Sequence, residues 1–101
     1  MVEQKKFDSL DPPPGALKEG GTEIFRAAVV NGGLHVSLRR SFDDPAMWGL
    51  LLVDIARHAA RIYEKEGAMS FEAALKGIKD MYAAEMNSPT DLGETKPRHD
   101  A

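Results

Sequence analysis

Apolar and polar residues alternate along residues 22–40, and from residue 45 onward they change to a repeat of about 3.6 residues. The first rhythm belongs to a half-covered strand and the second to an amphipathic helix, because side chains alternate across a strand and wind around a helix. Residues 22–30 (TEIFRAAVV) and 34–40 (LHVSLRR) flank Asn31-Gly32-Gly33. Asn-Gly is the strongest short hairpin signal, since a type I′ turn needs positive φ at both central residues. A two-residue Asn31-Gly32 loop sets Val29 opposite Leu34, Ala27 opposite Val36 and Phe25 opposite Leu38, all on one face. A three-residue loop would set Arg26 opposite Leu38 and break that face. The two-residue loop is therefore predicted, with the apolar face buried against the helices that follow. The other face carries Ile24, Arg26, Ala28 and Val30 against His35, Ser37 and Arg39, a mixed surface.

The first helix of the pattern is predicted over residues 45–66. Asp44 suits the N-cap, Pro45 the first helical position, and Gly67 the left-handed residue that ends a helix. Trp48, Leu51, Leu52, Ile55, Ala59, Ile62 and Tyr63 share one face, with Arg57, Arg61, Glu64 and Lys65 opposite. Val53, Ala56 and Ala60 widen the apolar arc to about half the circumference, more than one packing partner requires. Trp48, the largest of these side chains, is expected to wedge between helix and sheet. Ser70 is predicted to cap a second helix running to about Asn87. Phe71, Ala74, Leu75, Ile78, Met81, Tyr82 and Met86 form its expected buried stripe. The fold class is α+β: a β-hairpin followed by two antiparallel amphipathic helices, β-β-α-α.

Both ends read differently. Residues 1–21 contain Pro12-Pro13-Pro14 and Gly20-Gly21, which favour extended backbone and predict a flexible N-terminal arm, with Phe7 and Leu10 as docking points. Residues 88–101 (SPTDLGETKPRHDA) are polar and carry two prolines, the pattern of a disordered tail. The domain proper is thus expected at residues 22–87. A core of that size seldom supplies more than ~3–5 kcal/mol, and a lone hairpin leaves both edges unpaired. A homodimer answers both problems, through a four-stranded sheet shared by two hairpins or through two helical faces that meet. The competing arrangement is a monomer whose arm covers the sheet.

Composition narrows the function classes. Among 101 residues, 43% are hydrophobic and 29% charged, with a net charge of -3. That balance speaks against nucleic acid or an anionic membrane as partner, since phosphate neutralisation needs clustered Lys and Arg. There is no cysteine, so a thiolate nucleophile or cysteine-ligated metal has no source. The longest apolar run, residues 48–53, is too short for a bilayer, and residues 1–15 lack the apolar core of a secretory signal. A cytoplasmic location is the expectation.

Two clusters offer chemistry. Asp54, Arg57, His58 and Arg61 lie along the first helix (VDIARHAAR). Asp54 and His58 stand four residues apart, so a carboxylate can orient an imidazole while the two arginines hold an anion. The plainer reading is a surface ladder in which Asp54 pairs with Arg57 or His58. On the hairpin, His35 and Arg39 share a face with Arg26 and Ser37, either as an anion site or as the solvated side of the sheet. His35, His58 and His99 do not stand at metal-ligand spacing, so no metal and no cofactor is expected.

The stretch GLHVSLRRSF followed by DDPAMWGLLLVDIARHAARIY resembles a family of small bacterial proteins known only as a domain of unknown function. The resemblance implies a compact bacterial domain over residues 22–87 and transfers no activity. The leading expectation is a non-enzymatic interaction or regulatory module, homodimeric. The rival is a small-ligand (anion) binding protein or minor enzyme using Asp54, Arg57, His58 and Arg61, or His35 and Arg39.

Overall fold

The turn chemistry of Asn31-Gly32 and the capping residues Asp44 and Ser70 set the element bounds. A computed structural model of the chain describes residues 6–90 and 93–95. Five elements follow in order: α1 (Pro14–Glu19), β1 (Phe25–Val30), β2 (Gly33–Leu38), α2 (Ala46–Lys65) and α3 (Phe71–Asn87). This is an α+β domain with the expected β-β-α-α order behind a short leading helix. It divides into two units between Ser41 and Phe42, and each is described by itself.

In the first unit β1 and β2 pair antiparallel in the register that side-chain parity predicts, with Phe25 opposite Leu38, Ala27 opposite Val36 and Val29 opposite Leu34. Asn31 and Gly32 have φ of 51° and 81°, as a type I′ turn demands. The pairing continues past the strand end, where Arg39 N donates to the Ile24 carbonyl at 3.0 Å.

The arm departs from expectation. Its prolines start a helix: Pro14 occupies the first helical position, where its missing N–H is not needed, and the Pro13 carbonyl accepts from Ala16 N at 2.9 Å. Gly20, at φ 81°, ends the turn. Residues 1–5 of the expected arm lie outside the described residues. Of the two docking points, Phe7 is half covered beneath the Arg26 guanidinium, 5.5 Å from the ring centroid, whereas Leu10 is 94% exposed.

That contact accounts for a second correction. Arg26 belongs to the mixed face of the hairpin, so Phe7 engages that face, drawn by the attraction of a cation to an aromatic ring. The partly covered positions Ile24 and Ala28 lie on the same side. The face expected to be buried is the open one: Phe25, Val29, Leu34, Val36 and Leu38 are all exposed.

In the second unit Asp44 Oδ1 accepts from Ala46 N at 2.9 Å while Pro45 takes helical dihedrals. The cap is therefore where the sequence puts it. Trp48 meets Phe42, in the segment leading into α2, edge to face at 5.4 Å. The aromatic partner of Trp48 is thus a residue six positions earlier, and no sheet residue is needed to explain its place. At the far end Gly67 N donates to the Glu64 carbonyl and Ala68 N to the Tyr63 carbonyl, both at 3.0 Å. With Gly67 at φ 73° this is the Schellman arrangement that ends a helix and turns the chain. Ser70 Oγ then accepts from Ala73 N at 3.1 Å and opens α3.

The α2–α3 contact runs through small residues. Ala60 is fully buried and Ala74 is 6% exposed, and these are the only buried hydrophobic residues among those described. Trp48, Leu51, Ala56 and Ala59 of α2 and Phe71, Leu75 and Ile78 of α3 are half-buried. Leu52, Ile55, Ile62, Tyr63, Met81, Tyr82 and Met86, expected in the buried stripes, are exposed. The reason is geometric: one helix covers only part of a neighbour whose apolar arc spans half its circumference. Beyond α3, Glu85 holds Thr90 by both N–H and hydroxyl, each at 2.9 Å, so the expected tail begins with an ordered clasp. Residues 91, 92 and 96–101 of that tail, His99 included, lie outside the described residues.

Candidate functional site

The α2 turns that carry Asp54, Arg57, His58 and Arg61 place all four side chains at exposed positions. The contact formed there is between two basic side chains: Arg61 Nη1 lies 3.3 Å from His58 Nδ1. A guanidinium only donates, so Nδ1 accepts and the ring proton belongs on Nε2. Asp54 makes no hydrogen bond or ion pair with Arg57 or His58, so neither the expected ladder nor an oriented carboxylate–imidazole pair is formed.

On the hairpin the cationic groups are already engaged. Both oxygens of Glu23 accept from Arg26, at 3.1 and 3.0 Å, and Arg39 Nε donates to the Glu23 carbonyl at 2.9 Å. An anion approaching Arg26 competes with a carboxylate three residues away in the same chain. His35 and Ser37 are exposed on this face, with the His35 ring over Gly33. The structure thus leaves Arg39 and His35 on one side of the sheet without bringing them to a shared pocket.

Among the described residues no three His, Cys, Asp or Glu side chains gather as a metal ion would require. No helix among them is long and apolar enough to cross a membrane. One titration departs from ordinary values. The Lys76 ammonium is raised by its hydrogen bond to Asp80, at 2.6 Å, and by the charge of that carboxylate. Both groups are solvated, so this is a surface pair on α3 and not a poised catalytic group.

The second unit carries an apolar groove of about 530 Å³. Ala73 and Ala74 contribute small side chains to it and Gly77 bare backbone, and Tyr63, Met69, Ile78, Met81 and Tyr82 line it, with Glu85 as its charged member. Sequence reasoning missed it by assigning Tyr63, Ala74, Ile78, Met81 and Tyr82 to a closed core. A signal was present in Gly77, a glycine inside a helix where alanine is worth about 1 kcal/mol more. A Cβ added at Gly77 meets nothing within 4 Å, so no contact inside the chain requires the glycine.

These features define a small α+β domain in which many large hydrophobic side chains are exposed among the described residues. Residues 9–90 match the family described as a domain of unknown function, DUF5076, and the chain belongs to that family. The matched span is wider than residues 22–87, taking in α1 and ending on the Thr90 clasp. A solved structure from the photosynthetic bacterium Rhodopseudomonas palustrus CGA009, provisionally named a pyruvate dehydrogenase, is similar to this chain. It is 42% identical with a TM-score of 0.77, and the match covers 95% of this chain and 100% of that one. No curated protein matches the chain.

Proposed function

We propose that the domain is a non-enzymatic protein-interaction or regulatory module that acts as a homodimer. The observation that carries this reading is the burial pattern: the buried hydrophobic residues among those described are two alanines. Fully burying a Val, Leu, Ile, Phe or Met side chain contributes about 1.5–3 kcal/mol, and Ala60 and Ala74 supply little of that. The large side chains able to supply it, among them Leu52, Ile55, Ile62, Met81 and Met86, stand in solvent until another surface covers them. Contiguous exposed apolar surface beyond a few hundred Å² marks interaction sites in soluble proteins.

The enzyme reading finds less support. His58 faces a guanidinium without a carboxylate, and Arg26 and Arg39 are committed to Glu23. The name carried by the Rhodopseudomonas relative describes that protein, and no catalytic set at the described positions argues for bringing it here.

Sedimentation equilibrium of the full chain between about 1 and 200 μM tests the proposal. The expected result is a species of twice 11.1 kDa across most of that range. A single 11.1 kDa species at the highest concentration overturns it.

A further inference from the structure

We infer that the second copy docks on the α2–α3 groove, so that two helical pairs close into a four-helix bundle. This rests on the homodimer reading and adds which surface makes it. The helical pair has the anatomy of half a bundle. Its helices are antiparallel neighbours joined by a short turn, Ala60 and Ala74 are its buried hydrophobic residues, and much of both apolar arcs is exposed. Bundles of this kind complete their cores when a second pair supplies the missing side.

The size of the surface fits. Nine large hydrophobic side chains of α2, α3 and the turn between them, from Leu52 to Met86, are roughly half exposed, and Tyr63, Met69, Met81 and Tyr82 of these line the groove. An aromatic side chain buries about 150–250 Å² and an aliphatic one less, so nine that are half exposed offer an area on the order of 700 Å² per protomer. A stable, specific interface takes about that much from each partner. A smaller occupant would leave most of it wet.

Glu85 is the charged side chain in the groove's lining, and its carboxylate is held by the N–H and hydroxyl of Thr90. Gly77 lies in the groove with open space over it, which allows the backbone of a facing helix to approach closely. Exposed Tyr63 and Tyr82 flank that opening, each with an apolar ring to bury and a hydroxyl to leave at the rim.

Four variants of the full chain decide the matter. In Gly77→Leu the new side chain has room within its own chain but fills the space a facing helix needs. Sedimentation should show Kd for the dimer raised ~30-fold or more, the scale of a central interface position. Because the chain has no cysteine, Met81→Cys and Glu72→Cys each carry one thiol. At concentrations where the protein sediments as a dimer, the thiol at 81 should react with a maleimide at least tenfold more slowly than the thiol at 72. If Gly77→Leu fails to fold, the thiol comparison alone decides. Should wild type be monomeric, the homodimer reading and this inference fall together. If wild type is a dimer, equal thiol rates, or a Gly77→Leu dimer as tight as wild type, overturn the inference alone. Loss of that dimer in Val36→Glu but not in Gly77→Leu would do the same and move the interface to the sheet.

Discussion

The first backbone N–H of α3 is held by a residue of the helix before it: Phe71 N donates to Glu64 Oε2 at 3.1 Å. Ser70 Oγ takes the N–H of Ala73 in the same turn. Two of the four unpaired donors at this helix start are thereby satisfied, one locally and one across the Gly67 turn. The local one is legible in sequence, because Ser before a helical repeat with Glu72 in the first turn is a start signal. The other is not, since Glu64 reads as a solvent-facing residue of the polar stripe until the Schellman turn carries α3 past it. Ser70→Ala should lower unfolding free energy by about 1 kcal/mol. Glu64→Ala should lower it by about 0.5–1 kcal/mol, since it removes both an acceptor and a negative charge at the positive end of the helix. Urea denaturation at one fixed protein concentration measures both, and a Glu64→Ala protein as stable as wild type would show the bond to be idle.

Among the elements, the hairpin was the most legible. Its register follows from two local rules, the alternation of side chains and the mirror-image turn that Asn31-Gly32 allows, and neither depends on anything distant. Gly32→Ala should therefore cost the hairpin about 1–2 kcal/mol, because a Cβ in the left-handed region crowds the following carbonyl. Faster exchange of the Val29 and Leu34 amides in the variant, relative to those of α3, is the expected readout. Which face of the hairpin is covered could not be read the same way. That depends on Phe7 finding Arg26, a contact between segments far apart in sequence. The arm misled for a related reason: a proline run signals extended backbone except at its last member, which is suited to begin a helix.

For the whole molecule the apolar arcs on α2 and α3 mattered more than the charged clusters. Sequence periodicity marked the residues of those arcs correctly as a continuous apolar band, and it noted that the band was too wide for one partner. What it took for a closed core is an open pair of helices, with two alanines buried and most of the large side chains exposed. The candidate site suffered the same error from the other direction. Asp54 and His58 stand at the right spacing, yet the imidazole lies beside Arg61, because positions three and four apart compete for the same neighbour. The proposed homodimer carries a thermal signature: Tm should rise with protein concentration, by mass action, over a hundredfold dilution series. A Tm that stays constant across the series would mean the chain folds without a second copy.

Sequence by itself determined the things that short-range chemistry controls: element order, the hairpin register, the turn at Asn31-Gly32, and the helix starts at Asp44 and Ser70 with the stop at Gly67. Each is settled by groups within a few residues of one another, where steric and hydrogen-bonding rules leave one good answer. Tertiary structure alone decided that Phe7 takes the mixed face of the hairpin, that Glu64 caps α3, that Glu85 clasps Thr90, and that a groove stays open around Gly77. Burial is a property of what lies opposite, and hydrophobic attraction has no direction of its own. An apolar repeat therefore says which residues seek cover without saying what will cover them.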